Sequence, residues 1–165
     1  MQHLIRLQWF VLLVLLQALV LNHIHIGQFA TPFLYIYFIL KFNSGTNIKT
    51  LTLWAFFLGL SVDILSNTPG LNAAASVLTA FCRPRMLRIL STRDVSDNFE
   101  PSIRIMGMAS FFRYSLATVF LHTATLNVID AFSFVSFSTL VLKILTDTLI
   151  TLVCILCIDS IRRNR

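Results

Sequence analysis

Six apolar runs set the conditions under which this chain can fold. They fall at about residues 7–22, 27–42, 50–66, 70–82, 103–122 and 132–159, separated by short polar or turn-forming stretches. One α-helical crossing of a bilayer takes about 20 residues, so 165 residues hold six short spans and leave little for a soluble domain. Composition points the same way. Hydrophobic residues make up 56% of the chain, charged residues 12%, and mean hydropathy is +0.80, whereas a soluble domain carries roughly 25% charged residues. The expectation is an all-α, polytopic transmembrane helical bundle of about six spans, with residues 1–165 forming a single integral membrane domain. The second and fourth runs are short for a crossing, and the last is long enough to tilt or to begin with a bent segment.

The opening, MQHLIRLQWFVLLVLLQALVLNHIHIG, has the charged-then-apolar order of a secretory signal. No small-x-small cleavage site follows, and more apolar runs come after it, so it reads as a retained first span. Cys82, Cys154 and Cys157 lie in or at the end of apolar runs, where thiols usually pack as small hydrophobes.

The basic residues set a direction for the threading, because cytoplasmic loops and helix ends carry excess Lys and Arg. With the N-terminus inside, Arg6, Lys41, Lys49, Arg83, Arg85, Arg88, Arg93, Arg104, Arg162, Arg163 and Arg165 all face the cytoplasm. The outer turns are then NHIHIGQ, SNTPG and HTATLNVID, which contain no Lys or Arg. Both termini are expected to be cytoplasmic and the net charge of +6 reads as a topology signal. It does not read as a nucleic-acid patch, since no basic cluster is interleaved with exposed aromatics on a soluble face. The long inner stretch RPRMLRILSTRDVSDNFEPS opens on Pro84, which should end the fourth span. Its MLRIL piece then lies along the inner membrane surface, either as a solvated connector near anionic headgroups or as a docking site for a cytoplasmic partner.

Four ionisable residues fall well inside the runs: Asp63 in the third, Arg113 in the fifth, and Lys143 and Asp147 in the sixth. A charge facing lipid costs on the order of 2.5–3.5 kcal/mol, so these side chains should turn inward and find partners. Lys143 and Asp147 are four residues apart and form the simplest pair, and elimination leaves Arg113 for Asp63. Ser136, Thr139, Lys143, Asp147, Thr151 and Cys154 recur at helical steps as one polar stripe. Gly59, Asp63, Ser66 and Asn67 form a shorter stripe, Pro69 and Gly70 make a turn, and Ala73, Ser76 and Ala80 offer a small-residue face for close helix approach. Such stripes more often hold helices in register than carry a substrate, so Asp63 is read first as helping a compact bundle close.

Other chemistry has little support. His23 and His25 lack carboxylate or cysteine companions, and an interfacial histidine pair is the plainer reading than a metal site. The chain has no HExxH, G-x-S-x-G, P-loop or paired acidic motif. No catalytic residue, metal or cofactor is expected, and the protein is read as non-enzymatic.

One resemblance sharpens these expectations. The stretch with Gly59, Leu60 and Asp63, then Ser66, Asn67, Thr68, Pro69 and Gly70, then Ala73 and Ala74 and finally Arg83 and Pro84, resembles the rod shape-determining MreD family of bacterial inner-membrane proteins. Ala30, Thr31, Pro32, Leu34 and Tyr35 also stand in the order that family shows after its first span. The resemblance covers roughly the first half of the chain and carries no catalytic residues. The second half is similar only in size and hydropathy. The resemblance implies a small subunit of the cell-elongation machinery in the inner membrane, supporting cell shape and peptidoglycan synthesis. Its implied partners are MreC first, then the MreB filament and the peptidoglycan synthases. It further implies kinship in fold with the substrate-binding subunits of vitamin transporters, which keeps a small-molecule binding role as the alternative. In that alternative, Asp63, Arg113, Lys143 and Asp147 would line a pocket open to the outer side.

Overall fold

The computed structural model describes residues 2–23, 31–68, 70–91, 98–131 and 137–163. It is all-α, with no strand among the described residues. The helices are α1 (Gln2–Leu19), α2 (Ile36–Leu40), α3 (Ile48–Ser66), α4 (Leu71–Leu90), α5 (Ile103–Met106), α6 (Met108–Asp130) and α7 (Phe137–Arg163). Two of them, α3 and α7, are long and apolar enough to cross a membrane, and α1 carries a shorter apolar stretch over Arg6–Leu19.

The expectation of six continuous apolar spans is corrected here. Helices α4 and α6, with 20 and 23 residues, extend about 30 Å or more at ~1.5 Å per residue, but much of what they bury is polar. Asn72, Ser76, Thr79 and Arg83 are inside on α4, as are Thr118, His122, Thr123 and Asn127 on α6. The second apolar run is not one helix either. Thr31 to Phe33 is irregular backbone, Leu34 and Tyr35 form a turn, and only Ile36–Leu40 is helical. Pro32 explains the break, because it lacks an N–H and steers the preceding Thr31 away from helical angles.

Other boundaries move for similar reasons. Pro84 does not end the fourth helix: α4 continues through it to Leu90, so Met86 to Leu90 is helix with Leu87 buried. The main helix of the fifth apolar run, α6, begins late, at Met108, because Gly107 turns the chain at φ 80° and isolates the four-residue α5. HTATLNVID is not an outer turn but the last part of α6.

The short helix α2 forms the middle of the core. Tyr35, Ile36, Tyr37, Phe38, Ile39 and Leu40 are all buried and pack with Leu51, Leu58 and Val62 of α3, Ala75 and Leu87 of α4, Phe111 and Val119 of α6 and Ile155 of α7. Helix α3 starts from Asn47, whose side chain accepts from the Lys49 N–H at 3.0 Å. It ends at Asn67 in the left-handed conformation, φ 54°, which Asn tolerates better than most residues. Gly70, at φ 76°, opens α4 without a side-chain cap.

The α3–α4 hairpin closes to backbone contact at Gly59. A Cβ there would stand 2.5 Å from Ala73 Cα and from the Asn72 carbonyl oxygen, so two main chains meet where a side chain would otherwise separate them. Gly59→Ala is expected to destabilise by about 1–3 kcal/mol, in the range of overpacked cores, and to lower the melting temperature by several degrees in a chain of this size. Gly45→Ala meets only the Asn98 side chain, at 3.2 Å, and serves as the control. Thermal melts of both in detergent check this, and equal melting would mean that the hairpin is looser than described.

Candidate functional site

The broken segment brings unpaired backbone groups into the core, and distant side chains satisfy them. At its start the Thr31 N–H donates to Asp147 Oδ1 at 2.9 Å and the Phe33 N–H to Thr151 Oγ1 at 3.0 Å. Gln17 supplies both polarities: its Oε1 accepts from the Leu34 N–H at 2.9 Å while its Nε2 donates to the Pro32 carbonyl at 2.9 Å. At the far end Arg83, 1% exposed, donates from Nη2 to the Leu40 and Phe42 carbonyls and from Nε to Tyr114 Oη at 2.8 Å. A buried guanidinium thus meets the carbonyls that the end of a helix leaves free. Lys41 completes this end with an ion pair to Asp159 at 2.7 Å, and Asp159 also accepts from Tyr37 Oη at 3.1 Å and the Ile103 N–H at 2.8 Å.

Asp63 does a second, related job at the α3–α4 turn. Its Oδ1 accepts from the Asn72 N–H at 3.0 Å, Asn72 Nδ2 at 2.9 Å and Thr68 Oγ1 at 2.6 Å, and its Oδ2 accepts from the Ala73 N–H at 2.8 Å. These N–H groups belong to the first turn of α4, where Gly70 can offer no cap. Asp63 therefore caps α4 from the neighbouring helix, placing its negative charge where the helix dipole favours it. The polar path continues inward. Tyr35 Oη donates to Asn72 Oδ1 at 2.8 Å and stands 2.7 Å from His122 Nε2, while His122 Nδ1 is 3.3 Å from Thr79 Oγ1.

Against this geometry the expected site separates into parts. Gly59, Asp63, Ser66, Asn67 and Gly70 gather at the hairpin, with Ser66 Oγ accepting from Asn22 Nδ2 at 2.5 Å; Pro69 lies outside the described residues. Arg113 does not meet Asp63. It is exposed in the second turn of α6 beside Leu90 and Leu116, because α6 turns Tyr114, Thr118 and His122 inward instead. Nor does Lys143 pair with Asp147. Lys143 Nζ reaches Asp130 at the end of α6 at 3.2 Å, with both side chains well exposed, while Asp147 is buried and held by Asn127 Nδ2 at 2.9 Å and Thr31. No single cluster of the four charges forms. Along α7 the buried row is Asp147, Thr151, Ile155 and Asp159; Cys154 is half-buried, Ser136 lies outside the described residues, and so does His25.

Several side chains in this network gave no such signal in the sequence. Asp159 is the instructive one, since it repeats the spacing of Asp147 and Thr151 at multiples of four residues. In the sequence Arg83 reads as a cytoplasmic cation and, with Tyr35, stands out only through the family resemblance, while Gln17, Asn72, Tyr114 and His122 read as ordinary members of apolar runs or turns. A crevice of about 420 Å³ opens beside the hairpin, lined by Asn22, Thr31, Ser66, Asn67, Thr68 and Asp130 among others. No family model matches the chain, and no curated protein or solved structure matches it either.

The geometry ranks substitutions. Asp147→Leu leaves the Thr31 N–H and the Asn127 amide without their acceptor, at about 1–3 kcal/mol for each buried group. Lys143→Met removes an exposed pair worth at most about 1 kcal/mol. Asp147→Leu is therefore expected to unfold at clearly lower temperature than Lys143→Met, and a double-mutant cycle between the two positions should show little coupling. A coupling above about 1 kcal/mol would restore the direct pair.

Proposed function

We propose that this chain is a non-enzymatic, multi-pass subunit of the bacterial inner membrane, of the MreD kind, that holds MreC within the cell-elongation complex. The observation that supports it best is the use to which the resemblance-bearing residues are put. Gly59, Asp63, Asn67 and Gly70 build one closed hairpin, with the Asp63 carboxylate occupied by four donors within it. A motif used in this way specifies a shape for partners to meet.

The distribution of charge and apolar surface is consistent with that reading. Arg6, Lys41, Arg104 and Arg162 surround the end of the bundle where Lys41 meets Asp159, and Asn22, Ser66, Asn67 and Asp130 border the other. Between the ends, large apolar side chains face outward, including Phe57, Ile64 and Leu65 on α3 and Leu145, Leu149 and Val153 on α7. In lipid such a surface is ordinary, and a partner's transmembrane helix can dock on it through close packing and a few hydrogen bonds. In this proposal both termini are cytoplasmic, the Asp63 hairpin faces outward, and MreB and the peptidoglycan synthases are reached through the basic end or through MreC.

A second reading rests on the crevice beside the hairpin, whose polar lining and volume suit a small ligand of the kind vitamin-transporter subunits bind. Two measurements separate the readings. Reporter fusions after Thr68 and Ala131 are expected to be active outside the cell, and fusions after Gly45 and Asn98 inside; the reverse pattern would overturn the orientation. Affinity purification from native membranes is expected to bring down MreC, and depletion of the chain to round rod-shaped cells. Purification of the chain with a stoichiometric small molecule and without MreC would replace the scaffold by the binding subunit.

A further inference from the structure

At the basic end, α1, α2 and α7 leave a cleft of about 220 Å³ between them, lined by Arg6, Trp9, Leu13, Phe38, Lys41 and Arg162 among others. Its charge is not balanced. Lys41 is matched by Asp159 at 2.7 Å and Arg162 by Glu100 at 3.3 Å. Arg6 has no carboxylate partner among the described residues and lies instead over the Phe42 ring, 5.2 Å from its centroid. Arg104 adds a further cation in the adjoining recess, which shares Lys41, Glu100 and Arg162 with the cleft. The rest of the lining is largely apolar and aromatic: Arg162 stands 5.6 Å from the Trp9 ring centroid, and Trp9 and Leu13 follow Arg6 along α1.

We propose that this cleft binds the headgroup of an anionic phospholipid, with Arg6 and Arg162 on the phosphate and the first part of one acyl chain against the exposed Trp9 of α1. Guanidinium groups match phosphate through paired, charge-assisted hydrogen bonds, and basic recesses between helices at the cytoplasmic face are where acidic lipids settle. The size fits a part of an amphiphile. Pockets that enclose a whole small molecule run to roughly 300–1,000 Å³, whereas this one holds a headgroup and leaves the chains outside against α1. A soluble anion would satisfy Arg6 but leave the exposed Trp9 ring beside it uncovered.

The inference rests on the membrane-embedded reading proposed above, and the test keeps the two apart. The full chain is first challenged in native membranes with alkaline carbonate; its release would overturn the membrane reading and the lipid site with it. Purified chain in nonionic detergent is then titrated with phosphatidylglycerol, with phosphatidylcholine of the same chains and with inorganic phosphate, following the melting temperature. Phosphatidylglycerol is expected to raise it and the other two are not. Arg6→Gln with Arg162→Gln is expected to weaken the phosphatidylglycerol response about tenfold or more, while Lys49→Gln with Arg88→Gln, an equal loss of exposed charge elsewhere, leaves it intact. Arg6→Lys keeps the charge but not the fork, and should fall between. Equal shifts from both lipids, an equal shift from phosphate, or equal weakening by the two double variants would each overturn the site.

Discussion

Everything in this bundle depends on satisfying one broken stretch of main chain, of which only the short helix α2 is regular. Backbone N–H and C=O groups kept from water must find partners. From Thr31 to Phe42 the chain meets that condition with side chains from four helices: Gln17 of α1, Arg83 of α4, Tyr114 of α6, and Asp147 and Thr151 of α7. These polar residues occupy positions that apolar packing would otherwise fill, and α4 and α6 are less apolar than spans of their length for that reason.

The charges follow the same logic. Asp63 meets the first turn of α4, Arg83 meets carbonyls beyond α2, and Asp147 meets a main-chain N–H and an amide. Among the described residues only Lys41 with Asp159 is a buried pair of opposite charges. Most buried charge here is matched by backbone dipoles. Such a match fixes geometry more tightly than an exposed ion pair, because the donors belong to a helix turn and cannot rotate away.

How much of this was legible in the sequence depends on the length scale of the cause. The helical class followed from the apolar runs, and the hairpin from the SNTPG break after Asp63, because both causes are local. The partner of Asp63 was not legible, since the eye looks for a cation and the structure uses N–H groups nine and ten residues on, which every residue except proline carries. The pairing of Lys143 with Asp147 failed on direction: Asp147 turns to Thr31, 116 positions away in sequence, and no helical spacing records that. Pro84 was read as a stop by its own rule, yet the anchoring of Arg83 beside it and the burial of Leu87 carry α4 onward.

The order in which the chain is made adds a consequence. The broken segment leaves the ribosome early, but apart from Gln17 the partners of its main chain are Arg83, Tyr114, Asp147 and Thr151, separated from it by 41 to 118 positions. Synthesis proceeds from the N-terminus at about 5–20 residues per second, so for several seconds this stretch has no means of satisfying its main chain inside the bundle. It must wait in a provisional conformation, and seat itself only when α7 has been made. Helix α7 is thus the one that admits the second segment, and a truncation that spares every residue before Phe137 still removes the acceptors that segment needs.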